Sequence, residues 1–333
     1  MRFGFAVKVI GHGGNLATVP AEAGMPSNDA RKWQSGPHVR QSIMFMHEIF
    51  HYLHKVDIHM YRMSSDFAPY LTHPDMPQFH NQLEEAKDEL AELGALARGY
   101  DIRLSLHPSQ YILLNALDED VAHKSIADLN AQARLLDALG CGPESVVVTH
   151  IGGVYGQRDE SLARFIRRYK ELPEGTKRRL VVENDDVSYA VTDTLRIHQE
   201  TGCPLVFDNL HHFCFNPEGM PMRAALRAVL DTWPADVVPK IHYSSPSTDF
   251  ETTVEKEKGT TGRDKTVTKL HAPQLKAHAD FINPLEFVQF WEAVSADSLR
   301  PFDVMLEAKA KDVALLRLRR ELARQRERPI DAG

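Results

Sequence analysis

A single (β/α)8 TIM barrel is the fold class this sequence predicts, and three observations predict it. Short apolar runs alternate with amphipathic helical stretches, about one βα unit apart, along almost the whole chain of 333 residues. Most of those runs end in a residue that ligates metals or moves protons: IRLSLH (102–107), SVVVTH (145–150), RLVVEN (179–184), PLVFDNLHH (204–212), PKIHYS (239–244) and DVMLEAK (303–309), while VDIHMYR (56–62) ends in Arg62. No Pro-, Gly- or Ser-rich linker divides the chain, so one large domain fits, a barrel of roughly 250 residues plus inserts. A doubly wound sheet is the competing architecture. It gathers ligands at one crevice and has no use for chemistry at nearly every strand end.

The elements follow in order. RFGFAV (2–7) is apolar and short and reads as strand one. The Gly-rich GHGGN (11–15) is its loop, without the strand–GxGxxG–helix context of a nucleotide site. Ile43, Met46, Ile49 and Leu53 fall on one face, which places a helix over 37–54. VDIHMYR is strand two. The prolines of SSDFAPYLTHPDMP (64–77) predict a long irregular loop. NQLEEAKDELAELGALARGY (81–100) is an amphipathic helix closed by Gly99. Strand three leads into the loop PSQYILLN (108–115) and a helix over 118–139, ended by Gly140 and Gly142. Strand four (145–150) runs into GGVYGQRDE and a helix over 159–171. Strand five (179–183), a helix (188–201), strand six (204–208), a helix (221–231) and strand seven (238–243) come next. A long polar insert, 244–278, separates strand seven from its helix and is richer in Lys and Arg than its neighbours. Inserts of that length are functional loops or disordered segments. A helix (284–295), strand eight (303–307) and a last helix (309–325) complete the barrel domain, 1–325, and 326–333 reads as a flexible tail.

Composition narrows the function classes. Hydrophobic residues make up 43% and charged residues 26%, ordinary for a soluble globular protein. Three cysteines without CxxC spacing fit a reducing, intracellular compartment and argue against a disulfide framework or a cysteine zinc site. MRFGFAVKVIGHGG lacks the apolar core of a signal peptide. No stretch approaches the roughly 18 apolar residues of a membrane span. A net charge of −7 argues against nucleic-acid binding through bulk charge alone. It leaves room for a local basic groove, and cations bound to acidic ligands would reverse the field there. Histidine is the outlier at 17. A single histidine is more often a hydrogen-bonded core or surface imidazole than a ligand, so position carries the argument rather than number.

In such a barrel the C-terminal strand ends meet at one face. His107, His150, Glu183, Asp208, His242 and Glu307 should therefore converge. Imidazoles with carboxylates suit Mn2+ or Zn2+, and the shortage of cysteine disfavours thiolate-rich sites. So many ligands exceed the needs of one tetrahedral ion. Two or three ions bridged by a carboxylate is the economical reading, with Glu183, on the middle strand, as the bridge. A metal pair about 3.5–4 Å apart serves an in-line phosphoester displacement. His211 follows Asp208 by three residues and can face the same ion, while His212 either supports the cluster or is a hydrogen-bonded loop residue. KAHAD (276–280) offers His278 and Asp280, and spacing alone does not decide their role. Lys240 precedes His242 by two and shares its strand face, where it could offset carboxylates or touch a phosphate. Lys309 relates to Glu307 in the same way.

Together LSLHPSQYI, VTHIGGVYG, VVENDD, FDNLHH, KIHYSS and VMLEAKAKD resemble the UV damage endonuclease family, in the right order and across almost the whole chain. The resemblance implies a TIM barrel related to the abasic-site endonucleases. It implies cleavage of the phosphodiester 5′ to cyclobutane dimers, 6-4 photoproducts and some other lesions in UV-damaged double-stranded DNA. A cluster of two or three divalent ions is implied, usually Mn2+, with Zn2+ or Mg2+ as alternatives. Motif by motif, the ligands implied are His107, His150, Glu183 as bridge, Asp208, His211, His242, His278 and Glu307, with His73 from the THP motif. Glu183, Lys240 and His242 are the implied catalytic residues, and the family can carry Lys240 in carboxylated form. Gln110 and Tyr111 match the pair that probes the duplex and fills the gap left by extruded bases. A monomer acting in the cytoplasm or nucleoid, away from membranes, is the expected setting.

The chain departs from the family in places. Phe5 stands where the family often has tyrosine, GHGGN does not align cleanly with the first loop, and the 246–271 insert is long. Its Lys256, Lys258, Arg263, Lys265 and Lys269 fit either phosphate contacts or a solvated loop. Two other classes compete. A xylose-isomerase-like sugar isomerase or epimerase also rings metals with His, Glu and Asp, but would have a closed mouth without a Gln–Tyr tip. A metal-storing or DNA-binding barrel predicts metal without turnover.

Overall fold

The computed structural model of the protein describes residues 1–11, 38–258, 264–297 and 299–327. Among these, eight parallel strands line a barrel: β1 (Phe3–Ala6), β2 (Met60–Arg62), β3 (Arg103–Ser105), β4 (Val147–Thr149), β5 (Leu180–Glu183), β6 (Leu205–Val206), β7 (Lys240–Tyr243) and, after a hairpin of β8 (Glu251–Lys258) with β9 (Asp264–His271), β10 (Asp303–Leu306). One ladder runs β3-β2-β1-β10-β7 and another β4-β5-β6. Parallel bridges Leu106↔Val147 and Asp208↔His242 join the two and close the ring. The strands are short and most are buried on both faces, which explains their near-continuous apolar runs.

The helices alternate with the strands as the hydrophobic period predicts. They are α1 (Val39–Lys55), α2 (Gln82–Glu85), α3 (Lys87–Gly99), α4 (Glu119–Ala138), α5 (Arg158–Glu171), α6 (Glu174–Lys177), α7 (Val191–Thr201), α8 (Asn209–Cys214), α9 (Met222–Leu230), α10 (Pro284–Ser295) and α11 (Lys311–Glu327). The side chains of Asp118 and Asn283 cap α4 and α10, and Gly202, at φ 73°, ends α7. Three features differ from the sequence expectation. The helix expected over 81–100 is divided at Ala86 into α2 and α3, and the buried Gln82 side chain at the start of α2 accepts from Val39 N (2.8 Å) and donates to Pro69 O (2.6 Å). The single-turn α6 and the short α8 were not expected. The insert, expected as a functional loop or a disordered segment, carries the β8–β9 hairpin, whose Thr- and Val-containing strands favour pairing despite their charge. In that hairpin Lys269 pairs with Glu255 at 2.7 Å across the strands. Residues 12–15 of the GHGGN loop, Arg263 of the insert and positions 328–333 of the expected tail lie outside the described residues.

The two barrel ends differ in chemistry. Arg103 and Asp303, the first residues of β3 and β10, form a buried pair at 2.9 Å that plugs the N-terminal end. Arg103 also donates to the carbonyls of Val238 (2.9 Å) and Pro239 (3.3 Å). Conservative packing there serves stability and leaves the C-terminal end for function. Phe5 is buried in the wall, edge-on to Tyr61 at 5.4 Å, so the ring at this position is core.

One helix carries an ionisable group that works against the fold. Burial pushes the Asp128 carboxyl on α4 up to about 6 from its ordinary 3.8, although Gln132 donates to it at 2.8 Å. A carboxyl raised in this way keeps its proton longer in the folded chain. Stability therefore falls as pH climbs from the unfolded value to the folded one, and the deficit is complete above about pH 6. Asp128→Asn is expected to gain roughly 2 kcal/mol at pH 8 and almost nothing at pH 4. Thermal melts of both proteins at the two pH values check this, and equal melting at pH 8 rules it out.

Candidate metal centre

Glu183 is the last residue of β5, and strand alternation turns its carboxylate into the barrel mouth, where it is fully buried. Four imidazoles surround it. Oε2 lies 3.2 Å from His107 Nε2 and 3.8 Å from His150 Nε2. Oε1 lies 2.9 Å from His242 Nδ1 and 3.4 Å from His211 Nδ1. The rings themselves form a chain, His107 to His150 at 5.1 Å and His150 to His211 at 5.6 Å between centroids.

Neighbouring elements supply the rest of the cluster. Glu307, just past β10, sets Oε1 3.3 Å from His242 Nδ1 and Oε2 3.8 Å from His278 Nε2. His278 is held at the rim by its bridge to Pro246 and by the bonds Ser247 N to Ala277 O (2.7 Å) and Ala279 N to Ser245 O (2.9 Å). Asp208 caps α8: its Oδ1 accepts from His211 N at 2.8 Å. Asn184 fixes that corner, accepting from Asp208 N at 2.9 Å and placing its carbonyl 2.9 Å from His211 Nδ1. His107 Nδ1 lies 3.1 Å from Pro108 O, which leaves Nε2 facing Glu183. Pinning one imidazole nitrogen to a carbonyl is how proteins present the other to a metal.

The donor set fits divalent cations. His107, His150 and Glu183 offer ligand atoms within 4.8 Å of one another, as do Glu183, Asp208 and His242. Glu183 belongs to both groups. Three buried atoms here, His150 Nδ1, His242 Nε2 and Asp208 Oδ2, have no hydrogen-bond partner in the protein. Buried polar atoms are rarely left so unless a water or an ion completes them.

Electrostatics point the same way. Burial alone would raise the Glu183 carboxyl, but His242, His150 and the other imidazoles hold it well below the usual range. Burial pushes Asp208 up to about 7. Burial works downward on His211, yet the Asp208 and Glu183 carboxylates take it up to about 11. His242, in the driest position, is pushed by burial down to about 4. Glu307 stays low against the effect of burial because Arg62 and His242 face it, and its Oε1 accepts from the Arg62 guanidinium. Lys240 is fully buried below His242, and its Nζ donates to Ser105 Oγ at 3.2 Å. Burial, then Arg103 and Arg62, hold this ammonium well below its ordinary value.

The structure thus gathers His107, His150, Glu183, Asp208, His211, His242, His278 and Glu307. It does not gather His73. That residue is exposed on the loop after β2, edge-on to Tyr70, with its Nδ1 3.3 Å from Asp75 N. His212 is buried but turned away, with Nε2 3.0 Å from Met220 O. Asp280 and Lys309 are exposed. The expectation that Lys309 shares the face of Glu307 fails because β10 ends at Leu306 and alternation ends with it. Arg62, which donates to Glu307, and Asn184, which holds Asp208 and His211, border the cluster and had no assignment from the sequence. The signals were an arginine closing strand two and an amide directly after Glu183.

Gln110 lines a cleft of about 240 Å3 together with His107 and His150. Tyr111 beside it is 75% exposed, on a turn tied by Tyr111 N to Ser109 Oγ (3.2 Å) and Ile112 N to Ser109 O (3.0 Å). A second cleft of about 370 Å3, lined by Arg62, His107, Glu183, His211 and Glu307 among others, opens onto the cluster. The mouth is therefore accessible, with an aromatic tip at its edge.

Comparison with known proteins adds an independent line. The UV-endonuclease UvdE family model matches residues 38–330. A UV DNA damage endonuclease of Bacillus cereus strain G9842 is 32% identical over 286 residues, which span 86% of this chain and 82% of that protein. A UV DNA damage endonuclease of Bacillus velezensis is 34% identical over 276 residues, 82% of this chain and 78% of that one. The crystal structure of SacUVDE superposes with a TM-score of 0.74 at 29% identity, covering 98% of this chain and 100% of that chain. The 3-keto-D-glucoside 4-epimerase YcjR of E. coli gives a TM-score of 0.52 at 12% identity over 98% and 99%, a likeness of fold alone.

Proposed function

Because the chain belongs to the UV-endonuclease UvdE family, we propose that it nicks UV-damaged double-stranded DNA 5′ to cyclobutane dimers and 6-4 photoproducts with the help of divalent cations. The observation that carries the cation requirement is Glu183, shared by two ligand groups at one open mouth. His107 and His150 would hold an ion on one side of Glu183, and Asp208 and His242 on the other. Glu307, His211 and His278 border the same space and would complete these shells or hold a third ion. Bound there, Mn2+ or another borderline cation supplies Lewis acidity toward phosphate oxygens and lowers the pKa of water.

The chain's own residues set the rest. Glu183 keeps the two halves of the cluster together and stays ionised at every working pH. Arg62 neutralises Glu307 and offers a guanidinium at the mouth, suited to a phosphate. Lys240 is proposed in carboxylated form: its amine is dry, has one hydroxyl partner, and lies in the field of Arg103 and Arg62, which would welcome a carbamate. Carbon NMR of protein equilibrated with 13C-bicarbonate should give a carbamate signal that Lys240→Met removes. Among the described residues no helix is long and apolar enough to cross a membrane.

Incubation with Mn2+ and a UV-irradiated plasmid beside its undamaged twin tests the reading: damage-dependent nicks are expected, and equal nicking of both would reject it. Tyr111→Ala is expected to cut the preference for damaged over intact duplex on the order of 10-fold, the worth of one aromatic stack. Metal content should stay at the wild-type level. A loss of metal instead would move Tyr111 from the lesion to the cluster. The sugar-isomerase alternative is disfavoured by the accessible mouth and by a tyrosine set out in solvent at its edge.

A further inference from the structure

The hairpin of β8 and β9 supplies no side chain to the cluster, yet it is rooted there. Its two legs meet in the Pro246↔His278 bridge, so the chain leaving the hairpin arrives at the imidazole that faces Glu307. The same leg is fastened across the barrel mouth. Past β10, Lys309 N donates to Ala279 O (3.0 Å) and Ala310 N to Asp280 O (2.9 Å). In the loop after β5, Asp186 Oδ2 lies 3.8 Å from Lys276 Nζ. We propose that this hairpin is an arm that lies along the DNA duplex beside the nicking site. The proposal rests on the endonuclease reading and adds to it a surface for the flanking, undamaged base pairs.

Three observations carry it. The first is placement. A phosphodiester held at Glu183 brings its duplex against the rim from which the hairpin leaves. Each strand of the hairpin has 8 residues. That is an arm of roughly 25 Å, the length of about seven base pairs. The second is exposure. The two strands form a sheet of their own, and Val254 and Leu270 are 70% and 65% exposed. A bare two-stranded ribbon is marginal in water, and an uncovered apolar patch on it marks a contact surface. The third is the difference between its two sides. On one side the polar groups are matched within the hairpin: Lys269 pairs with Glu255 at 2.7 Å, and Thr253 Oγ1 lies 2.8 Å from His271 Nε2. Alternation puts Thr252, Val254, Lys256, Thr266, Thr268 and Leu270 on the other side, in the register Thr252↔Leu270, Val254↔Thr268 and Lys256↔Thr266. Lys258 follows on that side, where its partner Asp264 is the one acid among the paired positions. Lysines and hydroxyls are donors that meet phosphates and fix a protein on a duplex without reading sequence. A two-stranded ribbon has the width of the major groove. In a chain of net charge −7, duplex binding needs such a local surface.

The test uses full-length protein with Mn2+ and labelled duplexes that carry one defined photoproduct or none, with flanks of about four or about fifteen base pairs on each side. Lys256→Ala combined with Lys258→Ala should weaken binding to long duplexes on the order of 10-fold at about 0.15 M salt, and lower the salt slope by about two. Damaged and intact duplex should lose alike, because the arm touches neither lesion nor cluster. Leu270→Glu, which sets a carboxylate against phosphates, should weaken binding at least as much. KM for nicking should rise with Kd, with kcat within about twofold and metal content at the wild-type level. On duplexes cut short on the side the arm covers, wild type and variants should bind equally. Glu255→Ala combined with Lys269→Ala, on the opposite side of the ribbon, should leave affinity unchanged. Wild-type affinity in the lysine variant and in Leu270→Glu overturns the proposal. So does an equal loss at every duplex length, the mark of a diffuse field rather than a contact. Loss of metal in these variants would reduce the hairpin to a support for His278. Sedimentation in which wild type self-associates and Leu270→Glu does not, with DNA affinity unchanged, would assign the ribbon to a second copy of the chain. Failure of wild type to nick irradiated DNA would remove the endonuclease reading and this proposal with it. Normal nicking by wild type with indistinguishable ribbon variants removes this proposal alone.

Discussion

Glu183→Gln is expected to abolish damage-dependent nicking, a loss on the order of 10³-fold or more, while the barrel stays folded. The substitution preserves volume and removes one negative charge. That charge is the counterpart of four imidazoles within 3.8 Å. An amide nitrogen placed against imidazole nitrogens is a donor facing donors, so the two ligand groups lose their common member. Metal content measured on the purified variant should fall with activity. The fold is expected to survive because the apolar core and the Arg103–Asp303 pair lie at a distance from this end of the barrel. Its histidines can also discharge by losing protons, which limits the cost of removing the carboxylate. Circular dichroism and a single cooperative melt check the fold. Near-normal nicking, or full metal content, would falsify the bridging role.

Most of this centre could be read before any coordinates, for a physical reason. Parallel barrel strands are buried on both faces, so their interiors must be apolar. A charged or imidazole side chain at a strand end then has no structural reason to be there. His107, His150, Glu183, Asp208, His242 and Glu307 were legible on that ground, and Lys240 through strand alternation. The limits are equally physical. His73 belongs to a proline-rich loop, and no period tells where such a loop folds back. Lys309 lies beyond its strand, where alternation carries no information. α8 is six residues long, too short for a hydrophobic period.

Stripping divalent cations is expected to abolish nicking and lower the melting temperature, and Mn2+ should restore both, more strongly at pH 8 than at pH 6. A ligand present at a hundred times its Kd stabilises the folded state by about 2.7 kcal/mol, so the shift is well within measurement. The pH dependence comes from protons that the cations must displace. In the metal-free protein burial sets Asp208 at about 7, and the carboxylates around His211 outweigh burial and set it at about 11. At pH 6 both hold a proton, and both must give it up to become ligands. At pH 8 Asp208 has already lost its proton, and removing the one on His211 costs less. Mn2+ affinity should therefore rise on the order of 10²- to 10³-fold between these pH values. The metal-free protein is expected to show the opposite trend. Asp208, raised from 3.8 to about 7, weakens the fold progressively between those values and by its full amount above pH 7. His211, raised from 6.5, stabilises fully below that value and loses its contribution only as pH approaches about 11. Equal Mn2+-induced shifts at pH 6 and pH 8 would mean that the ions bind elsewhere.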